Sequence, residues 1–172
     1  MFRHATKGPQ ILVGSSMGAW VALRMIAKLT GKRGKRPPIV GLVLIAPAPD
    51  FTSALIEPRL TEAQRRDLAE RGYIEEPSAY AADQYVYTNA LIEDGRRNLV
   101  MNGPIDTHCP VHIIQGLQDP DVPAAHALKL ASCLPADDLT VSLVPDGDHR
   151  LSRPQDLDLI IGAVEALIAQ AG

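Results

Sequence analysis

The sequence predicts an α/β fold built around a parallel sheet. Two features of its pattern predict it. Short runs rich in β-branched and other apolar residues (Ile11-Leu12-Val13, Ile39 to Ile45, Val111 to Ile114, Leu139 to Val144) alternate with segments of helical length and pattern. That order is the one of a sheet whose crossovers are helices, with strands covered on both faces. Each run also leads into a loop rich in Gly, Ser, Pro or Asp. Open parallel sheets gather their reactive groups in such loops, past the carboxyl ends of the strands.

Taken in order, residues 1–9 are polar, and the first strand is expected near 10–14. A helix follows over 17–29. Met17, Trp20, Val21, Leu23, Met25, Ile26 and Leu29 go nearly all round it, so it is expected to be buried. Gly31 is its expected stop, in the left-handed conformation that glycine tolerates. The basic run Lys32-Arg33-Gly34-Lys35-Arg36 reads as a solvated connector, and Pro37-Pro38 leads into a second buried strand, 39–45. Ala46-Pro47-Ala48-Pro49-Asp50 breaks that strand.

The texture changes from 51 to 106. Thr61-Glu62-Ala63-Gln64 is a capping box opening a charged helix that stops at Gly72. A further helix is expected over 88–100, weakened by Gly95. The region shows no convincing strand pattern and reads as a helical cap inserted between two strands of one sheet. All four tyrosines, Tyr73, Tyr80, Tyr85 and Tyr87, lie in it. They read as packing residues, with the lining of an apolar substrate pocket as the functional alternative. The alternation then resumes: a strand from Val111, a helix with Pro123 near its first turn, the strand 139–144, and a last helix. In that helix Leu157, Ile160, Ile161, Val164, Leu167 and Ile168 form an apolar stripe for the sheet.

Composition bounds the class. With 172 residues and 46% apolar content, the chain suffices for one domain, residues 1–172, with a real core. A net charge of −3 argues against nucleic-acid partners. Two cysteines, Cys109 and Cys133, without a C-x-x-C pairing suit a reducing, cytoplasmic setting. Arg3 and Lys7 precede no apolar stretch of signal-peptide length. Nothing approaches the roughly 20 apolar residues of a membrane-spanning helix.

The chemistry centres on Gly14-Ser15-Ser16-Met17-Gly18. This is G-x-S-x-G between a strand and a helix, a turn that lifts a serine hydroxyl clear of the sheet. Small residues at 14 and 18 are expected to let strand and helix approach. The Met17 N–H, at the helix N-terminus, is placed to hold an oxyanion. A hydroxyl is a poor nucleophile at neutral pH. It needs a histidine to accept its proton and a buried carboxylate to fix that histidine. His149, after the last strand, is the expected base. The acid is expected in Gly116-Leu117-Gln118-Asp119-Pro120-Asp121. Asp119 is preferred there, Asp121 reads as a helix cap, and Asp50 is the alternative. Asp146 and Asp148 read as turn residues. His108, Cys109 and His112 straddle a strand start and share no helical face, so a zinc site is disfavoured, and Cys109 reads as a packed thiol. No metal or organic cofactor is called for.

These residues resemble the α/β-hydrolase family, whose chain order Ser, Asp, His they share. Gly-Ser-Ser-Met-Gly-Ala-Trp at 14–20, Gly-Leu-Gln-Asp at 116–119 with Val122-Pro123, and Asp-His-Arg at 148–150 are similar to a branch of acyl-protein thioesterases and acyl-glucuronide esterases. The resemblance implies a serine hydrolase cleaving carboxylic esters or thioesters, small acyl compounds or S-acylated proteins, with Ser16, Asp119 and His149 as nucleophile, acid and base. It also implies strands before the elbow strand and a second oxyanion donor among their loops. Only about ten residues precede that strand here. The sequence therefore reads as the carboxyl-terminal two thirds of such a fold, N-terminally truncated. Met1 would then be an internal or misassigned start, or the reading frame a truncated one. The elbow strand would be an open edge favouring self-association. The rival expectation is a catalytically impaired fragment acting as a binding or assembly module.

Overall fold

The computed structural model describes residues 8–30, 39–77, 84–135 and 138–171. In chain order the elements are β1 (Gln10–Ser15), α1 (Met17–Thr30) and β2 (Ile39–Ile45). A π turn (Thr52–Ile56) and a 3₁₀ turn (Glu57–Arg59) follow, then α2 (Glu62–Arg71), β3 (Tyr73–Glu76), β4 (Tyr85–Thr88) and α3 (Asn89–Arg97). Last come β5 (Val111–Gly116), α4 (Ala124–Cys133), β6 (Leu139–Val144) and α5 (Pro154–Ala171). The chain forms two compact units, Met1–Pro49 with Val100–Gly172, and Asp50–Leu99. The basic run at 32–36, the expected stop at Gly31 and Tyr80 lie outside the described residues.

The first unit holds a four-stranded sheet in the order β1-β2-β5-β6, parallel throughout. The predicted α/β class and parallel sheet are found, with strand bounds within two residues of those read from the sequence. The strands progress in one direction, so right-handed crossovers place α1 and α4 on the same face. The opposite face is covered by α5, whose Ala163 and Leu167 pack on Val43, Ile45, Ile114 and Leu151. Each such leucine-sized side chain contributes about 1.5–3 kcal/mol by leaving water. Gly41 in β2 lies under α5: a Cβ there would stand 3.0 Å from the Leu167 side chain. Its absence lets helix and sheet close up.

Two burial expectations are corrected. Helix α1 is buried on one side only: Ala19, Ala22, Leu23 and Ile26 are buried at i, i+3, i+4, i+7 spacing, whereas Val21 is 60% exposed. Helix α5 buries Asp156, Ala163 and Leu167, with Leu159, Ile160 and Val164 partly buried against the same core, while Leu157, Ile161 and Ile168 face outward. A stripe read from spacing is wider than the strip of sheet it meets. Both helices touch β1, which is an edge of the sheet among the described residues.

In the second unit the expected capping box is present. Thr61 accepts from the Gln64 N–H at 3.2 Å and its own N–H donates to Gln64 Oε1 at 3.0 Å. Gly72 ends α2 with φ +81°, its N–H on the Leu68 carbonyl. Helix α3 starts under a Thr88 cap and ends at Arg97, short of the expected residue 100. The expectation that the insert holds no strand is corrected, because β3 and β4 form an antiparallel pair with Ile74 opposite Tyr87. Strands of four residues are too short to display a period. They form because Tyr, Ile, Val and Thr suit a half-buried pleat, and because Ile74 and Tyr87 close over Leu68 and Ile92. Tyr87 packs there and stacks near Phe51 and Tyr85, and Tyr73 lies under the Arg71 guanidinium.

Candidate active site

Ser16 occupies the bend between β1 and α1 with φ +51°, a conformation that costs a non-glycine residue about 1–3 kcal/mol. The surroundings hold it there. Its N–H donates to the Ile45 carbonyl at 2.8 Å, and its carbonyl accepts from Ala19 at 3.1 Å and Ala48 at 3.2 Å. Gly14 meets the sequence expectation, since a Cβ there would lie 2.7 Å from the Gly18 carbonyl oxygen. Gly18 does not, for a Cβ at that position would meet nothing within 4 Å. Helix and strand converge on residue 14, whereas residue 18 already points outward. The Met17 amide lies in the first turn of α1, where N–H groups have no carbonyl four residues back.

The loops after β5 and β6 are locked together. Leu117 N–H donates to Val144 and Gln118 N–H to Gly147, both at 2.9 Å. A Cβ on Gly116 would fall 2.3 Å from the Gly147 carbonyl oxygen, so only glycine allows this contact. Arg153 clamps the second loop from below, donating to Asp146 and to the buried Asp156. Asp148 Oδ1 accepts from the N–H groups of Arg150 and Leu151. The two aspartates read as turn residues thus hold the turn that carries His149.

The fold brings Ser16, His149 and Asp119 together from three separate loops. His149 Nδ1 lies 2.8 Å from Asp119 Oδ2, and its Nε2 lies 3.0 Å from Ser16 Oγ. A carboxylate only accepts, so Nδ1 carries the proton; Nε2 of the neutral ring is then the acceptor facing the serine hydroxyl. The Asp119 side chain is fully buried, His149 is 15% exposed, and Asp119 Oδ1 accepts from the Asp121 and Val122 N–H groups at 2.9 Å each. Burial works against the Asp119 charge. The His149 hydrogen bond, the two amides and the imidazolium charge outweigh it, holding the carboxyl below its ordinary range. Burial likewise works against imidazolium at His149. The Asp119 bond and charge, with the charges of Asp121 and Asp148, outweigh it and raise the histidine above its ordinary 6.5.

Other expected candidates fall elsewhere. Cys109 is buried, and burial pushes its thiol up to about 11, so it stays protonated at neutral pH. His108 pairs with Asp106, and His112 faces Ser142 across β5 and β6 at 2.8 Å. No cluster of three His, Cys, Asp or Glu side chains with metal-binding geometry occurs among the described residues. None of the described helices is long and apolar enough to cross a membrane.

Sequence reasoning missed three supports. These are Gln115 beneath Asp119, the Arg153 clamp, and His126, whose Nε2–H donates to the Pro49 carbonyl at 2.7 Å and ties α4 to the chain leaving β2. Only Gln115 left a trace, as a polar residue inside an otherwise apolar strand end.

A model of the alpha/beta hydrolase family matches residues 2–158. The chain is 30% identical over 163 residues to the mouse palmitoyl-protein thioesterase ABHD10, mitochondrial, covering 94% of this chain and 52% of that protein. Among solved structures, a putative hydrolase from Agrobacterium vitis S4 superposes with a TM-score of 0.93 at 57% identity. That match covers 97% of this chain and 64% of the other. Mouse alpha/beta hydrolase domain-containing protein 10 superposes with a TM-score of 0.81 at 27% identity, covering 98% and 65%. The chain thus spans about half the length of the curated relatives it matches. With a family model matched over most of its length and a parallel sheet of the corresponding topology, the protein belongs to the α/β-hydrolase family.

Proposed function

We propose that the protein is a serine hydrolase of carboxylic esters or thioesters, working through an acyl-enzyme on Ser16. The observation that carries this reading is the imidazole of His149 bridging a strained serine and a buried carboxylate at 3.0 and 2.8 Å. In the proposed cycle His149 Nε2 takes the hydroxyl proton as Ser16 Oγ attacks the acyl carbonyl. Asp119 keeps Nδ1 protonated and offsets the imidazolium charge. The Met17 N–H stabilises the oxyanion. The proton then passes to the leaving alkoxide or thiolate. Water, deprotonated by His149, frees the acid. The relatives named as palmitoyl-protein thioesterases support S-acyl substrates, including S-acylated proteins, as the first class to assay.

The test is a p-nitrophenyl ester and an acyl thioester assayed across pH, with mass spectrometry of the quenched reaction. An acyl adduct on the peptide containing Ser16 is expected. Activity should rise with pH as His149 loses its proton. Because the folded ring holds its proton more tightly than free imidazole, the midpoint should lie above 6.5. A rate that stays flat from about pH 5 to 8 would exclude a titrating histidine base.

A second reading, an assembly module, is favoured by β1. It is an edge strand with Val13 53% exposed and without the charges or prolines that usually guard such edges. Sedimentation velocity at rising concentration should then show association that Val13→Lys reduces. A parent that stays monomeric throughout removes this reading.

A further inference from the structure

We infer that Gln115, at the end of β5, is a positioning residue for the Asp119–His149 pair; the inference rests on the hydrolase reading above. Gln115 is fully buried. Its amide nitrogen lies 3.3 Å from Asp119 Oδ2, 2.9 Å from the Gly116 carbonyl and 3.0 Å from the Val122 carbonyl. All three neighbours are acceptors. The amide can therefore face them only with its NH2, which settles its orientation on chemical grounds.

The consequence for Asp119 is that its carboxylate has four donor groups within reach, the Gln115 amide the most distant and sharing its two N–H groups among three acceptors. Two backbone N–H groups hold Oδ1, while the His149 ring and the Gln115 amide share Oδ2. That number matches the lone pairs a carboxylate offers. The carboxylate cannot rotate without losing bonds at both oxygens, so the acceptor for Nδ1–H stays fixed. The same amide also closes the 119–122 turn from beneath through the Val122 carbonyl. It does so at the cost of leaving its own Oε1 buried without a partner. A buried polar group left unsatisfied is costly, and a leucine would fill the same strand position without it. The residue is better explained by what its nitrogen holds than by packing.

The charged groups acting on His149 are Asp119, Asp121 and Asp148. Of these Asp119 is the one Gln115 touches. Removing the amide donor leaves more of the Asp119 charge to act on the ring. The imidazolium is then stabilised, and the acid limb of the rate profile should move to higher pH.

The experiment compares Gln115→Met, similar in length but without N–H groups, with Gln115→Asn, which keeps the amide one methylene short. The parent and Ser16→Ala are assayed beside them. For both variants kcat should fall about tenfold with KM nearly unchanged, and the acid limb should shift upward. The titration of the His149 ring, followed by proton NMR without substrate, should shift the same way. Either variant suffices if the other fails to fold. A folded variant whose rate limb and ring titration both match the parent's overturns the positioning role. If Ser16→Ala retains the parent's activity, the reading of an acyl-enzyme on Ser16 fails, and the NMR titration still reports whether Gln115 acts on the pair.

Discussion

Replacing Ser16 by alanine is expected to abolish covalent capture of a fluorophosphonate and to lower ester turnover at least about 10³-fold. The Ser16 hydroxyl lies 3.0 Å from His149 Nε2, and water cannot inherit its fixed approach. The bond from the Ser16 N–H to Ile45, and those from Ala19 and Ala48 to the Ser16 carbonyl, involve backbone alone and survive the change. The variant should therefore melt close to the parent, which separates loss of chemistry from loss of fold. Labelling that persists in Ser16→Ala would remove Ser16 as nucleophile and the proposed acyl-enzyme with it.

Asp119→Asn should also be severe, costing about 10⁴-fold by analogy with the acid of serine proteases. The structure says why an isosteric change is so severe. The Asp121 and Val122 N–H groups claim the Oδ1 position, so the asparagine must put its oxygen there. Its NH2 then faces His149 Nδ1. Two donors cannot share that line, so the ring moves its proton to Nε2 and presents N–H to a hydroxyl whose proton it was to accept. The same NH2 also opposes the Gln115 amide. A loss below tenfold in kcat/KM would mean that another carboxylate orients the ring. Asp50, the alternative acid read from the sequence, would then be the next to substitute.

Much of this was legible before any coordinates. The G-x-S-x-G turn names its serine because strand, bend and helix are local. The Asp119 and His149 loops announce themselves by following apolar strands. Helix α2 was legible at both ends, because a capping box and a left-handed glycine act within four residues. The β3–β4 pair was not, since such four-residue strands depend on Ile74 and Tyr87 finding Leu68 and Ile92. The outward faces of α1 and α5 were misread for a related reason. Periodicity reports which side of a helix is apolar, and the neighbours decide how much of that side is covered.

The sequence by itself determined the order of strands and helices, the strained serine turn and the residue types able to do acyl chemistry, because each rests on chain-local sterics and hydrogen bonding. Tertiary structure alone decided that residues 16, 119 and 149 share one imidazole and which ring nitrogen carries the proton. Those are distances between side chains thirty or more residues apart in sequence, or orientations set by backbone N–H groups that no residue pattern spells out.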